Sequence, residues 1–513
     1  MFQPLPDSWT PQEAAHLLRR AGFGGSPDAI ARFHALGRIK AVDSLLNPAE
    51  PVSAFPVPAW ATPDQALADM QQRQDEYKEA RAPHPDLSPE QADRLKRETN
   101  QKFQRKNRME TVEAQGWWFN RILTTQAPLR EKMVLFWHDH FASSVQKVKQ
   151  PYLMVKQNEL FRQHAFGSFK ELTHQIVRDP AMMLYLDTQT SKKGKPNENF
   201  PRELMELFTL GEGHYTEADI KEAARALTGY QINRATGEVV HNQRQWDNGV
   251  KTIYGKSGKF DGDDVVNLIF DQPSAASMLP SKLWEYFVAE DPGPEITGAL
   301  AVSFRSGDFK IAPLLRQIFL SKEFYAEPVM RNQIKSPVQY LVQLFKELEV
   351  QSPSAVYVLS SEQQLGEVLF APPNVAGWDW GKAWINTNTL LTRYNIAGFV
   401  TKGAEDAPGE TQGEDKMAMT DAGAKKFLVN AMKRAQRNWQ GPDYEKIAPR
   451  PLREDPAALV DALTARFFQV PLAGRQRETF VAYATEKKGA IFTNHEVAEL
   501  CHLMLSTPYY QLA

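Results

Sequence analysis

The amino-acid sequence predicts a mostly α, multi-helical body with β-structure confined to a small hairpin or meander near 230–255. Two observations carry this. Apolar residues recur at helical spacing along most of the chain, bracketed by residues that start and stop helices. The period changes only after Tyr230, where the runs QIN, EVVHN and VKTIYG are separated by RATG and the turn Asp247-Asn248-Gly249.

In chain order, residues 10–46 read as two or three short helices broken by Gly22 to Gly25 and by Gly37. Five prolines make 47–63 an irregular connection. Mixed charges at helical spacing over 64–126 predict a solvated antiparallel hairpin, a scaffold or a partner surface. Residues 130–230 hold the expected site core. The β element follows at 230–260, FDGDD at 260–264 opens a helix, and helices return over 264–350. Residues 369–395 form a Pro- and Gly-rich loop with three tryptophans, Trp378, Trp380 and Trp384. A main body (1–400) is expected to join a C-terminal helical region (421–513) through an acidic, Gly-containing linker (401–420).

Composition removes several classes. Sixty basic residues against sixty-two acidic ones, a net charge of −2, argue against nucleic-acid binding. The single cysteine, Cys501, leaves no disulfide framework and no multi-thiolate metal site. No apolar run approaches the roughly 20 residues that span a bilayer. The N-terminus shows no basic segment followed by an apolar run, so the default location is cytoplasmic, with export alongside a partner left open.

The chemistry concentrates between Pro196 and Tyr230. Pro201 suits a first helical position, and Gly211 suits the left-handed residue that ends a helix. Glu203 and Glu206 would lie about 60° apart beside the stripe Leu204, Leu207 and Phe208, with Leu210 between them. Two half-buried carboxylates this close raise at least one pKa unless a cation or a shared proton intervenes. A second helix opens at Thr216, carries the stripe Ile220, Ala223, Ala224 and Leu227, and stands Arg225 off it. The same residues also suit a helical hairpin in which Arg202, Arg225 and the glutamates form structural ion pairs.

Residues 130–141, REKMVLFWHDHF, are apolar on most sides and predict a buried helix. His138 and His140 are about 200° apart on a regular helix and meet at one metal only if the helix ends or distorts near Asp139. Either histidine equally suits a hydrogen-bonded core position, with Glu203 and Glu206 as candidate partners. Tryptophans in a loop either stack on a ligand such as a sugar ring or plug the loop onto the body.

Taken in order, WHDHF, NENFPRELMELFTLG, YTEADIKEAARALTG, the PPNVAGW loop with its later tryptophan and the terminal LMLSTPYYQ resemble the bacterial family called domain of unknown function 1800. The resemblance runs from AAHLLRRAGFG to the last residues. The residues it carries over are His138, His140, Asn197, Glu198, Asn199, Arg202, Glu203, Glu206 and Arg225. It implies no established activity, and it suggests a partner similar to sulfatases encoded nearby. The sequence departs from the family pattern at Pro201 (usually alanine), Tyr230 (usually tryptophan) and Phe208 (histidine in some relatives).

Two functions follow as expectations. One is an enzyme, a hydrolase of a carbohydrate-type substrate, with Glu203, Glu206, His138 and Arg225 catalytic and Glu198, Asn199, Arg202, Trp378 and Trp384 binding substrate. In a metal-assisted version His138, His140, Glu203 and Glu206 are the candidate ligands of a divalent metal. The other is a non-catalytic accessory protein that works with the sulfatase-like neighbour through the charged hairpin.

Overall fold

Side-chain caps and first-turn prolines start most of the helices. Thr10, Ser88, Thr216 and Asp261 each close a capping box with the residue three positions on. In the computed structural model, residues 8–233, 236–402, 439, 441–470, 472, 474–487 and 492–513 are described. The N-terminal part comprises α1 (Pro11–Arg20), α2 (Pro27–Ala35), α3 (Arg38–Leu46), α4 (Pro63–Arg81), α5 (Pro89–Thr124) and α6 (Pro128–His140). Then come α7 (Val145–Val148), α8 (Pro151–Gln163), α9 (Phe169–Val177), α10 (Pro180–Tyr185), α11 (Asn199–Glu203) and α12 (Glu217–Ala226). Helices α13 (Gly262–Phe270), α14 (Met278–Phe287), α15 (Gly293–Ser306), α16 (Ile311–Phe319), α17 (Pro337–Glu347), α18 (Ala355–Leu365) and α19 (Thr387–Lys402) complete the body.

The architecture is mostly α. Two antiparallel pairs pack against it, β1 (Tyr230–Ile232) with β2 (Val239–His241) and β3 (Lys251–Ile253) with β4 (Lys256–Gly258), with Tyr230 and Ile253 in the core. They are two separate hairpins rather than one meander. No described helix is long and apolar enough to cross a membrane.

Helix α6 runs through the core, buried at every position from Leu129 to His138, and packs on α3, α5 and α8. A charge network anchors it. Buried Glu131 receives Arg162 at 2.6 Å and Arg121 at 3.0 Å, so the carboxylate is satisfied out of contact with water. The first half of α5 forms the expected charged hairpin with α4, joined by Lys102–Glu76 and Lys106–Asp69 ion pairs, while its second half enters the core against α17 and α18.

Most of the expected acidic linker lies outside the described residues, and residues 401 and 402 close α19. The C-terminal region is helical where described and folds back onto the body. Helix Asn494–Leu505 packs on α19, and an isolated antiparallel bridge joins Leu512 to Ile334. The Ala513 amide donates to the Gln333 carbonyl at 2.8 Å, so the chain end braces segment 332–336.

Candidate active site

Lys132 and Asp139 are seven residues apart on α6, which puts them on one face about 10 Å apart along the axis. With Leu135 they form one wall of a cavity of about 360 Å³, within the range of small-molecule sites. Tyr286 of α14, segment 332–336, Gln339 of α17, Glu367 and the loop 378–384 close the rest.

The loop is fastened by Asp139. The Trp378 amide donates to Asp139 Oδ1 at 2.7 Å, and Trp380 Nε1 reaches Oδ2 at 3.4 Å. Gly377 makes this approach feasible. Its φ is +93°, and a Cβ there would sit 2.7 Å from the Asp139 carbonyl oxygen and nearer still to the carboxylate. That is the physical reason for glycine in NVAGW. Trp378 and Trp384 are 6% and 4% exposed and plug the loop onto the body, whereas Trp380 is 48% exposed and packs edge-on against Tyr286.

Burial tunes the cavity's titratable groups. Desolvation pushes Asp139 up to about 6, against its hydrogen bonds from Trp378 and Trp380 and the Lys282 charge. Glu367 is pushed up to about 7 by burial, although the Val338 amide donates to it at 2.8 Å. Lys132 is pushed down to about 7 by burial, with Glu367 opposing and Arg20 assisting. Its ammonium donates to the neutral Gln339 Oε1 at 2.9 Å and lies over the Phe23 and Tyr286 rings. Burial likewise holds the Tyr286 phenol well above its ordinary value.

The residues singled out by sequence fall elsewhere. His138 is fully buried among Trp118, Phe161 and Phe370, with Nε2 paired to Asn158 Nδ2 at 3.1 Å. His140 Nε2 donates to the Phe208 carbonyl at 2.9 Å inside a separate aromatic surround. Burial drives both pKa values well below the ordinary histidine range, so both rings are neutral. The helix stays regular to His140, the two rings point apart, and Asp139 between them faces the cavity. Among the described residues no group of three or more His, Cys, Asp or Glu side chains is placed to hold a metal ion. His138, His140, Glu203 and Glu206 therefore do not converge as a ligand set.

Glu203 and Glu206 are half-buried away from the cavity. The chain there is a short α-helix, with Pro201 at its third position rather than its first, followed by a π-helical turn (Leu204–Thr209) that ends at Gly211, φ +85°. Tyr215 donates its hydroxyl to Glu206. The Glu203 pKa is raised, first by desolvation and then by Glu206, with Arg202 opposing, which is the direction expected from the spacing. Arg202 grips Glu217 through two bonds of 2.7 and 2.9 Å and reaches Glu198 at 3.5 Å. Arg225 binds Asp247 at 2.9 Å and Glu222 at 2.7 Å. Asn199 is exposed and its amide donates to Asn197 Oδ1. Of the residues given catalytic, binding or metal roles from the sequence, only Trp378 and Trp384 line the cavity, and they do so as buried packing. Asp139, Lys132, Tyr286, Glu367 and Trp380 carry its polar and exposed aromatic groups. A detectable signal existed: a lysine and an aspartate seven apart share one face of a helix that the sequence predicts to be buried.

These features define a helical protein with a cavity lined by buried titratable side chains beneath a tryptophan loop. The chain belongs to the family described as Protein of unknown function (DUF1800), whose model matches residues 16–512. Comparison with curated proteins and with solved structures gives no match.

Proposed function

We propose that the protein is an enzyme whose active site is the cavity between α6 and the tryptophan loop, using Asp139 and Glu367 as general base and general acid on a small carbohydrate-type substrate. The observation that carries this reading is that Asp139, Glu367 and Lys132 line one cavity and burial moves each toward neutrality. Between about pH 6 and 7 Asp139 is mostly ionised while Glu367 keeps its proton, the division of labour that acid–base catalysis needs. Exposed Trp380 at the rim offers a face for a sugar ring. Hydrolysis by this pair is the specific reaction we favour.

The reading moves the catalytic roles away from Glu203, Glu206, His138 and Arg225. The accessory alternative, a partner surface on the α4–α5 hairpin for a sulfatase-like neighbour, has weaker support because several hairpin charges are already paired within it. A glycosidase and esterase substrate screen on the purified protein tests the proposal, with Asp139→Asn and Glu367→Gln as controls. Turnover that disappears in both variants while each keeps its melting temperature supports it. Turnover that survives in both overturns it.

A further inference from the structure

We propose that Lys132 is a covalent catalytic group that captures the carbonyl carbon of an aldehyde or ketone substrate as an imine in this cavity. The inference rests on reading the cavity as an active site and names the functional group its substrate carries.

The geometry comes first. Lys132 is a lysine of the central buried helix, only 4% exposed, and it lines a cavity with room for a small hydroxycarbonyl compound. Its ammonium is held by a neutral amide oxygen, Gln339 Oε1, and two aromatic faces, Phe23 and Tyr286. A lysine needed only for charge balance would be expected to pair directly with a carboxylate, and Glu131 on the same helix shows this protein building such pairs, with two arginines. Lys132 is instead left in an apolar, weakly polar setting, which favours the free amine. The charged and titratable groups around it are Glu367, which opposes that effect, Arg20 on α1, which reinforces it, and Tyr286, Asp139, Glu290, Asp379 and Lys382 on the cavity wall. The resulting amine, with its pKa brought down to about 7, is substantially unprotonated at neutral pH, unlike a surface lysine.

The same cavity supplies the protons that imine formation must move. The Lys132 nitrogen lone pair attacks the carbonyl carbon. The carbon–nitrogen bond forms, the carbonyl π electrons pass to oxygen, and an ammonium proton passes to that oxygen to give the carbinolamine. The carboxylic acid of Glu367 then protonates the hydroxyl, which leaves as water while the nitrogen lone pair forms the C=N bond. Loss of the remaining N–H proton restores the acid. Amine plus carbonyl become imine plus water, with no oxidant or reductant required.

The test uses the intact protein, glycolaldehyde as the carbonyl probe and sodium cyanoborohydride to reduce any imine to a stable secondary amine, followed by peptide mapping by mass spectrometry. The expected result is labelling of Lys132 at least 10-fold faster than any other lysine at pH 7, rising as pH increases through about 7. Prior treatment with excess glycolaldehyde and reductant should also abolish turnover of any substrate found in the screen. Lys132 unlabelled, or labelled no faster than exposed lysines, overturns the inference. The two proposals fail separately. Absent labelling with inactive Asp139→Asn overturns the covalent role alone, whereas selective labelling of Lys132 with fully active Asp139→Asn and Glu367→Gln upholds capture by Lys132, removes Glu367 as its proton donor and overturns the acid–base assignment.

Discussion

The 196–230 stretch and the α6 cavity hold similar sets of charged side chains and treat them in opposite ways. In the stretch, Arg202, Arg225, Glu206 and Glu217 lie near the surface and find polar partners within hydrogen-bond reach. In the cavity, Asp139, Glu367 and Lys132 are pulled from water and given amide N–H groups, an indole or an amide oxygen in place of opposite charges. Exposed pairing consumes charge and leaves it inert, whereas burial without a counter-charge keeps a proton ready to move. Density of charged residues along the chain is therefore a poor guide to chemistry here. What separates the two regions is direct ion pairing, which the stretch uses and the three cavity groups do without among the described residues.

The largest effect that could break this comparison is on turnover. Asparagine at 139 keeps an acceptor for the Trp378 amide but cannot take a proton. Asp139→Asn is expected to lower kcat/KM by about 10²- to 10⁴-fold, with the thermal melt nearly unchanged. In the parent, kcat/KM should form a bell with limbs near pH 6 and 7, the acid limb belonging to Asp139 and the alkaline one to Glu367. A pH series should show the acid limb gone in Asp139→Asn, and a limb that persists would remove Asp139 from the base role.

Loop packing ranks next. Trp378→Ala and Trp384→Ala empty buried volume and should each cost about 3–5 kcal/mol in a denaturant melt. Gly377→Ala should cost about 2–4 kcal/mol, since it adds backbone strain at positive φ and a clash with Asp139. Trp380→Ala should leave the melt within about 0.5 kcal/mol while weakening ligand binding. A stable Trp378→Ala would mean that the plug is not packed as described.

Glu367 gives a stability test with a sign. Its folded pKa is raised above the unfolded one, so it favours folding fully below about pH 4.5, and that contribution is lost as pH rises through about 7. A shift of this size is worth about 3 kcal/mol. Glu367→Gln keeps an acceptor for the Val338 amide and has no such loss. Relative to the parent, it should gain roughly 3 kcal/mol on going from pH 4 to pH 8, read from paired urea titrations. No pH-dependent difference would show that Glu367 is ionised at little cost in the folded protein.

The fold was legible because its signals are local. Capping boxes at Thr216 and Asp261, glycine at 211 and the change of period after Tyr230 each act within a few residues. The π-helical turn at Leu204–Thr209 was not legible, since 3.6-residue spacing was assumed through it. The site was half legible. WHDHF and the NVAGW loop both build it, yet within them the histidines, Trp378 and Trp384 are packing residues and Asp139 and Trp380 face the cavity. What joins Asp139 to Trp378 is a hydrogen bond across 239 residues, and enclosure is a property of the assembled walls. No periodicity in either segment encodes that pairing. Glu367 carries no motif and becomes visible only when α17 is set against it.

The smallest expected effect is the sharpest check on the surface half of the comparison. Had Arg202 been a buried partner of Glu203 or Glu206, removing it would cost about 3 kcal/mol or more. It is instead about one-third exposed and bound to Glu217, which is 65% exposed, so Arg202→Ala should cost under about 1 kcal/mol and less in high salt. Glu203 has no salt bridge to lose among the described residues, and its charge is disfavoured by partial burial and by Glu206. A raised folded pKa means that ionisation costs stability as pH rises through it. Glu203→Gln removes that cost, so above pH 7 the variant should be as stable as the parent or more stable by up to about 0.5 kcal/mol, and below pH 4 the difference should vanish. Thermal melts at pH 4 and pH 8 measure both. A loss of several kcal/mol for either variant would mean that the central stretch, too, depends on buried charge, and the contrast with the α6 cavity would collapse.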